Sequence, residues 1–258
     1  MHHGIKIGAH FQGAPIVFKS IFCYYYIMFN LIQSLQQALG LLLKFDPEIW
    51  QIVFLSLQVS FASSLIAVVL AVPLSLAITQ NEFRGKRIVI GTVNSFIAVP
   101  AVVIGLVCYL LLSRSGPLGF WRLLYTPSAI IIAQTLLIIP LMTGLCISAL
   151  QSLGHRVKET MITLGAGRWR LILGIMREVR FALAAAFITG FSRVLGETGM
   201  TMMVGGNIKG DTRVMTTAIA LETIKGNFEL GIALGLVLLI VAIGINIILQ
   251  AVQGRAGR

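Results

Sequence analysis

The sequence predicts an all-α integral membrane protein with five core transmembrane helices. An N-terminal helix precedes them, either lying in the interface or forming a sixth span. Three observations carry the prediction. The chain is 57% hydrophobic and 11% charged, with a mean hydropathy of +0.92, whereas soluble domains carry about 25% charged residues. That apolar surplus exceeds what a water-soluble core holds and calls for a lipid-facing surface. Apolar runs long enough to cross a bilayer, about 20 residues, recur at roughly 50–79, 88–112, 127–150, 181–204 and 230–250. Basic residues also collect in alternate connections.

The N-terminal segment, 1–45, holds the short apolar stretch SIFCYYYIMFN, diluted by Lys19, Asn30, Gln33, Gln36 and Gln37. It lacks a clean small-residue cleavage site, so no signal peptide is assigned. The transmembrane core follows over 46–254. Its first run has no charged residue between Glu48 and Glu82, a stretch of 33. As one straight helix it would measure about 50 Å against a hydrocarbon core of about 30 Å, so it must tilt, protrude or kink. Pro73 offers a kink, and Pro100 and Pro140 sit in the next two runs in the same way.

The connections at 80–87 and 151–180 and the basic tail at 255–258 hold eleven Lys and Arg; the alternate connections hold five. The positive-inside rule makes the first set cytoplasmic. The core then enters from outside and ends with a cytoplasmic C-terminus. The formal charge of +11 follows from this asymmetry beside anionic lipid headgroups, and no nucleic-acid partner is inferred. Cys23, Cys108 and Cys146 lie in apolar runs without metal-ligand spacing. No phosphate loop G-x-x-x-x-G-K-[ST], HExxH or GxSxG occurs, so neither a catalytic constellation, a metal site nor an ATP site is expected in this chain.

Seven of the 23 residues in KETMITLGAGRWRLILGIMREVR, 158–180, are charged. The glycines at 165 and 167 permit a turn, and Met161 and Leu164 offer apolar contacts at a short helix end. A merely solvated basic loop explains the same letters. Glu159, followed six residues later by Gly165 and then, after nine intervening residues, by Ile175, resembles the cytoplasmic loop E-A-A-x3-G-x9-I-x-L-P of ABC importer permeases. Thr160 and Met161 stand for its two alanines, and Arg177-Glu178 for its closing Leu-Pro. The resemblance implies that Glu159, Thr160, Met161, Leu164, Gly165, Ala166, Gly167 and Arg168 form a coupling element seated on an ATPase subunit.

The likeness extends along the chain. DPEIWQIVFLSLQVS at 46–60, the Val-Pro pair of the second run and LGETGMTMMVGGNIKGDTR at 195–213 resemble molybdate and tungstate permeases. Thr198 followed by MMVGGNIKG is similar to the tungstate branch. The resemblance implies a type I importer permease fold and a homodimer with its pathway along the shared interface. It also implies two copies of an ATP-binding subunit that hold ATP and Mg, and an external oxyanion-binding protein. The expected cargo is tungstate, with molybdate and then sulfate as alternatives.

Within the fourth run, Arg193 and Glu197 are four residues apart and share a helical face. Intramembrane charge is costly and usually faces a protein interior or a watery cavity. A bare carboxylate on an oxyanion path would repel the cargo. Glu197 is therefore expected to be a structural or gating residue, paired with Arg193 or with loop donors. Gly196, Thr198 and Gly199 flank it and complete the pathway or gate candidates. Lys209, Asp211 and Arg213 of the following loop are candidates for docking the external binding protein through complementary charge. Two other classes remain in view. A stand-alone channel or ion-coupled carrier would need lines of intramembrane charge or an internal duplication. A membrane enzyme would need clustered His, Asp or Glu at a membrane face.

Overall fold

The computed structural model describes residues 34–38, 40, 42–43, 46–152, 163 and 167–256. Among the described residues, the helices with defined bounds are α1 (Pro47–Gln80), α2 (Lys86–Ile97), α3 (Ala101–Leu112), α4 (Pro127–Ser152), α5 (Arg168–Glu178), α6 (Arg180–Leu195), α7 (Gly199–Gly205), α8 (Met215–Lys225) and α9 (Phe228–Ala256). A 3₁₀ turn covers Gly119–Trp121. No strand occurs among the described residues.

Among the described residues, α1, α4 and α9 are each long and apolar enough to cross a membrane. The two remaining expected spans differ from the sequence reading. The 88–112 run is α2 and α3, bent by 93° and counting as one broken span at most. Pro100 caps α3 in an extended conformation, φ −60° and ψ 132°, and proline drives its preceding residue away from helix. The 181–204 run is likewise split into α6 and α7 at residues 196–198. Pro73 and Pro140, by contrast, lie inside unbroken helices. The sequence left open whether residues 15–43 cross the membrane, and residues 15–33, 39 and 41 of that segment lie outside the described residues. Farther along the N-terminal segment, Ala38 is fully buried in one apolar cluster with Ile49, Val53 and Leu234.

The start of α1 is well specified. Asp46 accepts a hydrogen bond from the Glu48 backbone N–H at 2.9 Å, and Pro47 takes the first helical position. Farther along, Ser56, Ser60, Ser63, Ser64, Ala67, Ala71 and Ser75 are buried at three- and four-residue spacing. Small residues let helix backbones approach closely in lipid, and α4 packs along this stripe as the main helix pair. Buried hydroxyls need partners. Ser56 donates to the Ile52 carbonyl at 2.6 Å and Ser64 to that of Ser60 at 2.7 Å. Gln134, 2% exposed, joins three helices at the centre. It accepts from Ser63 Oγ at 2.9 Å and donates to the Val194 carbonyl at 3.5 Å. Thr135 beside it donates to the Ser63 carbonyl at 3.3 Å. Ile130, Ile138, Met142, Met200 and Val204 fill the core around this tie. Phe54, Phe61 and Val69 of α1 and Ile240, Ile243 and Ile247 of α9 remain exposed, as lipid-facing side chains should.

Helix α3 packs against α7. A Cβ at Gly105 would lie 3.0 Å from Met200 Cα, so any side chain there makes the α7 backbone give by a few tenths of an ångström. Beyond α7, Tyr125 N donates to the Val204 carbonyl at 2.9 Å, placing the 113–126 connection at the same end as the segment after α7. The start of α1 reaches that end too. Lys209 Nζ sits 2.7 Å from Glu48 Oε2, and Arg213 Nη1 lies 3.7 Å from Glu48 Oε1 and 3.9 Å from Glu222 Oε1. Glu222 also receives Lys225 Nζ at 2.9 Å and Asn227 Nδ2 at 3.0 Å. Burial pushes the Glu222 carboxyl up. The hydrogen bonds from Lys225 and Asn227, with the charges of Lys225 and Arg213, outweigh that and hold it below the usual carboxylate range.

Two consequences are measurable. Gly105→Val should separate α3 from α7 at a cost of about 1–3 kcal/mol of overpacking, read as a lower melting temperature in detergent. Glu222→Gln should cost about 2 kcal/mol through lost charge-assisted hydrogen bonds. The native carboxyl titrates below its unfolded value of about 4.3. Its contribution is therefore present above that pH and lost as pH falls through the native pKa. Melting curves across acid pH should show a weaker acid-side decline in the variant than in the wild type.

Candidate translocation gate

The interruption between α6 and α7 carries the clearest chemistry. Helix α6 ends at Leu195, Gly196 follows at φ −86° and ψ 0°, and Thr198 precedes α7 at φ −108° and ψ −53°. Glycine stabilises helix poorly, and glycines at 196 and 199 bracket the break. The break exposes backbone groups that require partners in a low-dielectric setting. Glu197 supplies one: its Oε1 accepts the Met200 backbone N–H at 3.3 Å. Thr216 Oγ1 of α8 donates to the Glu197 carbonyl at 3.0 Å. Glu197 thus fastens the break to its own following turn and to a separate helix.

The other Glu197 oxygen, Oε2, meets Arg193 Nη1 at 3.1 Å. Arg193 occupies the last turn of α6, where a cation also complements the helix C-terminal dipole. The pair is unequally covered: the Glu197 side chain is 11% exposed and that of Arg193 is 47% exposed. A lone charged side chain at mid-span costs about 2.5–3.5 kcal/mol on insertion scales, and mutual pairing offsets part of this. The structure therefore brings Arg193 and Glu197 together and engages Glu197 with a backbone donor as well. Gly196 is exposed; Thr198 and Gly199 are half-buried beside the pair.

The three loop candidates have different surroundings. Asp211 is exposed. Lys209 is mostly exposed but paired with Glu48. Arg213 is 9% exposed and turned inward between Glu48 and Glu222, so its charge is engaged inside the bundle end. With Glu48, Gln51 and Gln58, Lys209 and Arg213 line a cavity of about 160 Å³.

Glu159, Thr160, Met161, Leu164, Gly165 and Ala166 of the loop candidates lie outside the described residues. Gly167 is the exposed cap before α5, which begins at Arg168. Ile175 is buried with Leu150 and Val179, and Leu171 packs on them, so the segment after the loop is anchored to the ends of α4 and α6. Several residues of this region escaped the sequence reading. Glu48 meets Lys209 across 161 positions, which no local pattern marks. Gln134 carried a legible signal, a single amide inside an apolar run.

Comparison with known proteins extends the geometry. Residues 63–258 match the family model described as binding-protein-dependent transport system inner membrane component. The tungstate uptake system permease protein TupB of Peptoclostridium acidaminophilum is 43% identical, with 86% of this chain and 97% of that protein covered. TupB of Campylobacter jejuni subsp. jejuni is 35% identical, with 90% and 95% covered. The crystal structure of an amino acid ABC transporter with histidines matches with a TM-score of 0.61 at 14% identity, covering 83% of this chain and 96% of that one. It shares the fold. The chain thus belongs to the family of binding-protein-dependent transport system inner membrane components, as a multi-pass permease subunit of an ABC transporter.

Proposed function

We propose that this chain carries tungstate across the cytoplasmic membrane as the permease of an ATP-driven importer. The observation that carries the proposal is the alignment with tungstate uptake permeases over nearly their whole length. The interrupted α6–α7 segment supports it physically. A helix break held by one carboxylate and one hydroxyl bond can change between arrangements without unmaking a span.

The working unit is a homodimer whose pathway runs along the shared interface, with two ATP-binding subunits and an external oxyanion-binding protein. ATP and Mg belong to the partner ATPase, since this sequence carries no phosphate loop. The 159–175 loop faces the cytoplasm and seats on that ATPase. The C-terminus lies on the same side, by the excess of Lys and Arg there. ATP binding closes the ATPases and shifts the coupling elements, opening the pathway outward to the loaded binding protein; hydrolysis resets it. The bias comes from the different affinities of ATP and partner for the two states.

Uptake of trace tungstate and trace molybdate, in cells with and without the chain and with both partners supplied, tests the cargo. Tungstate uptake should depend on the chain. Dependence of molybdate uptake alone would replace tungstate with molybdate, and dependence of neither would remove the oxyanion assignment. Gly165→Leu tests the coupling loop in the reconstituted complex. Transport should fall at least about tenfold, a loss of roughly 1.4 kcal/mol in coupling, while ATP hydrolysis continues; unchanged transport per ATP would reject the loop's role.

A further inference from the structure

We propose that Arg193 and Ser192 form an oxyanion-binding station within the permease, with Glu197 as the built-in counter-ion that the passing anion displaces. The cargo named here rests on the transport reading above; the charge selectivity of the station does not. The station opens on a cavity of about 440 Å³ lined by Thr189, Ser192 and Arg193 of α6, Leu137 of α4, Ile97 of α2 and Leu249 of α9. A water takes about 30 Å³, so a tetrahedral oxyanion fits with part of its hydration shell.

Among the described residues, Arg193 is the one charged residue in that lining. Glu197, its partner, is nine-tenths buried behind it and does not line the cavity. A guanidinium left partly open beside its carboxylate keeps N–H donors for a second acceptor. This one is half exposed, and a single nitrogen, Nη1, meets Glu197. Guanidinium has five N–H donors in a planar fork that matches two oxygens of a tetrahedral anion. Arg193 lines the cavity, and its guanidinium has no other partner than Glu197 among the described residues. The neighbouring Ser192 is exposed and its hydroxyl has no partner among the described residues. Thr189 contributes differently: its hydroxyl proton is committed to the Ala185 carbonyl at 2.8 Å.

The two oxygens of Glu197 divide the labour. When an anion takes the guanidinium, Oε2 is released while Oε1 keeps the Met200 N–H. The carboxylate is never left without a donor, and the α6–α7 break stays capped. Competition from Glu197 weakens anion binding, which a transport pathway requires, because an occupant must also leave.

The test uses the full chain assembled with its ATPase subunit in lipid nanodiscs, with Cys23, Cys108 and Cys146 replaced by alanine and Ser192→Cys introduced. Labelling by an anionic and by a cationic methanethiosulfonate reagent is followed, each rate normalised to a free thiol in solution. The anionic reagent should react about tenfold faster, in the range of electrostatic focusing in a low-dielectric cleft. Adding Arg193→Gln should abolish the preference, and adding Arg193→Lys should retain most of it, separating charge from loss of fold. Millimolar tungstate should slow labelling. Equal normalised rates for the two reagents, an unchanged ratio in Arg193→Gln, or no labelling by either reagent would overturn the station. Anion preference with protection by molybdate or sulfate but not tungstate would leave the station standing and overturn the tungstate cargo.

Discussion

The structure hangs on the seam between α1 and α4, where serines and alanines permit close approach and Gln134 ties three helices through Ser63 and the Val194 carbonyl. In a membrane there is no hydrophobic drive between helices, because lipid is as apolar as leucine, so packing and internal hydrogen bonds must hold the bundle. The small-residue stripe supplies the packing and the amide supplies the bond. Helices α6 and α7 are both positioned against α4, and the break between them is only as well placed as that seam.

The prolines show how tertiary support decides whether a helix continues. Pro73 has buried Ala71 and Ser75 on either side, and Pro140 has buried Ile138 and Met142. Packing before and after each proline holds the helix axis across the missing hydrogen bond. Around Pro100 that support is absent on one side: α2 buries no residue, while α3 is pinned through Gly105 to Met200. The chain therefore turns by 93° there. The same letter yields two continuous helices and one sharp corner because the neighbours differ.

Charge is used in two ways. At the bundle end, Glu48, Lys209, Arg213, Glu222 and Lys225 interlock and fasten the start of α1 to the segment around α8. Removing one member of such a partly buried set leaves another poorly compensated, which is why these pairs act as fasteners. In the α6–α7 break the pair is asymmetric, with the carboxylate covered and the guanidinium half open. That asymmetry is what the proposed anion station rests on.

The sequence by itself determined the membrane class, the all-helical fold, the apolar runs and the Arg193–Glu197 pairing. Each follows from local composition or helical spacing, which act without knowledge of distant neighbours. The Leu195–Arg213 stretch likewise carried a family likeness in its letters alone. Tertiary structure decided the rest. The 88–112 and 181–204 runs each read as one span. Pro100 offered a kink in the first, but Pro73 and Pro140 offered the same, and hydropathy is blind to which proline or glycine the packing supports. Arg213 read as a docking cation, yet it lies inside, because Glu48 and Glu222, distant in sequence, converge on it. The unequal exposure of Arg193 and Glu197 was equally invisible, since burial is set by which helices arrive from elsewhere in the chain.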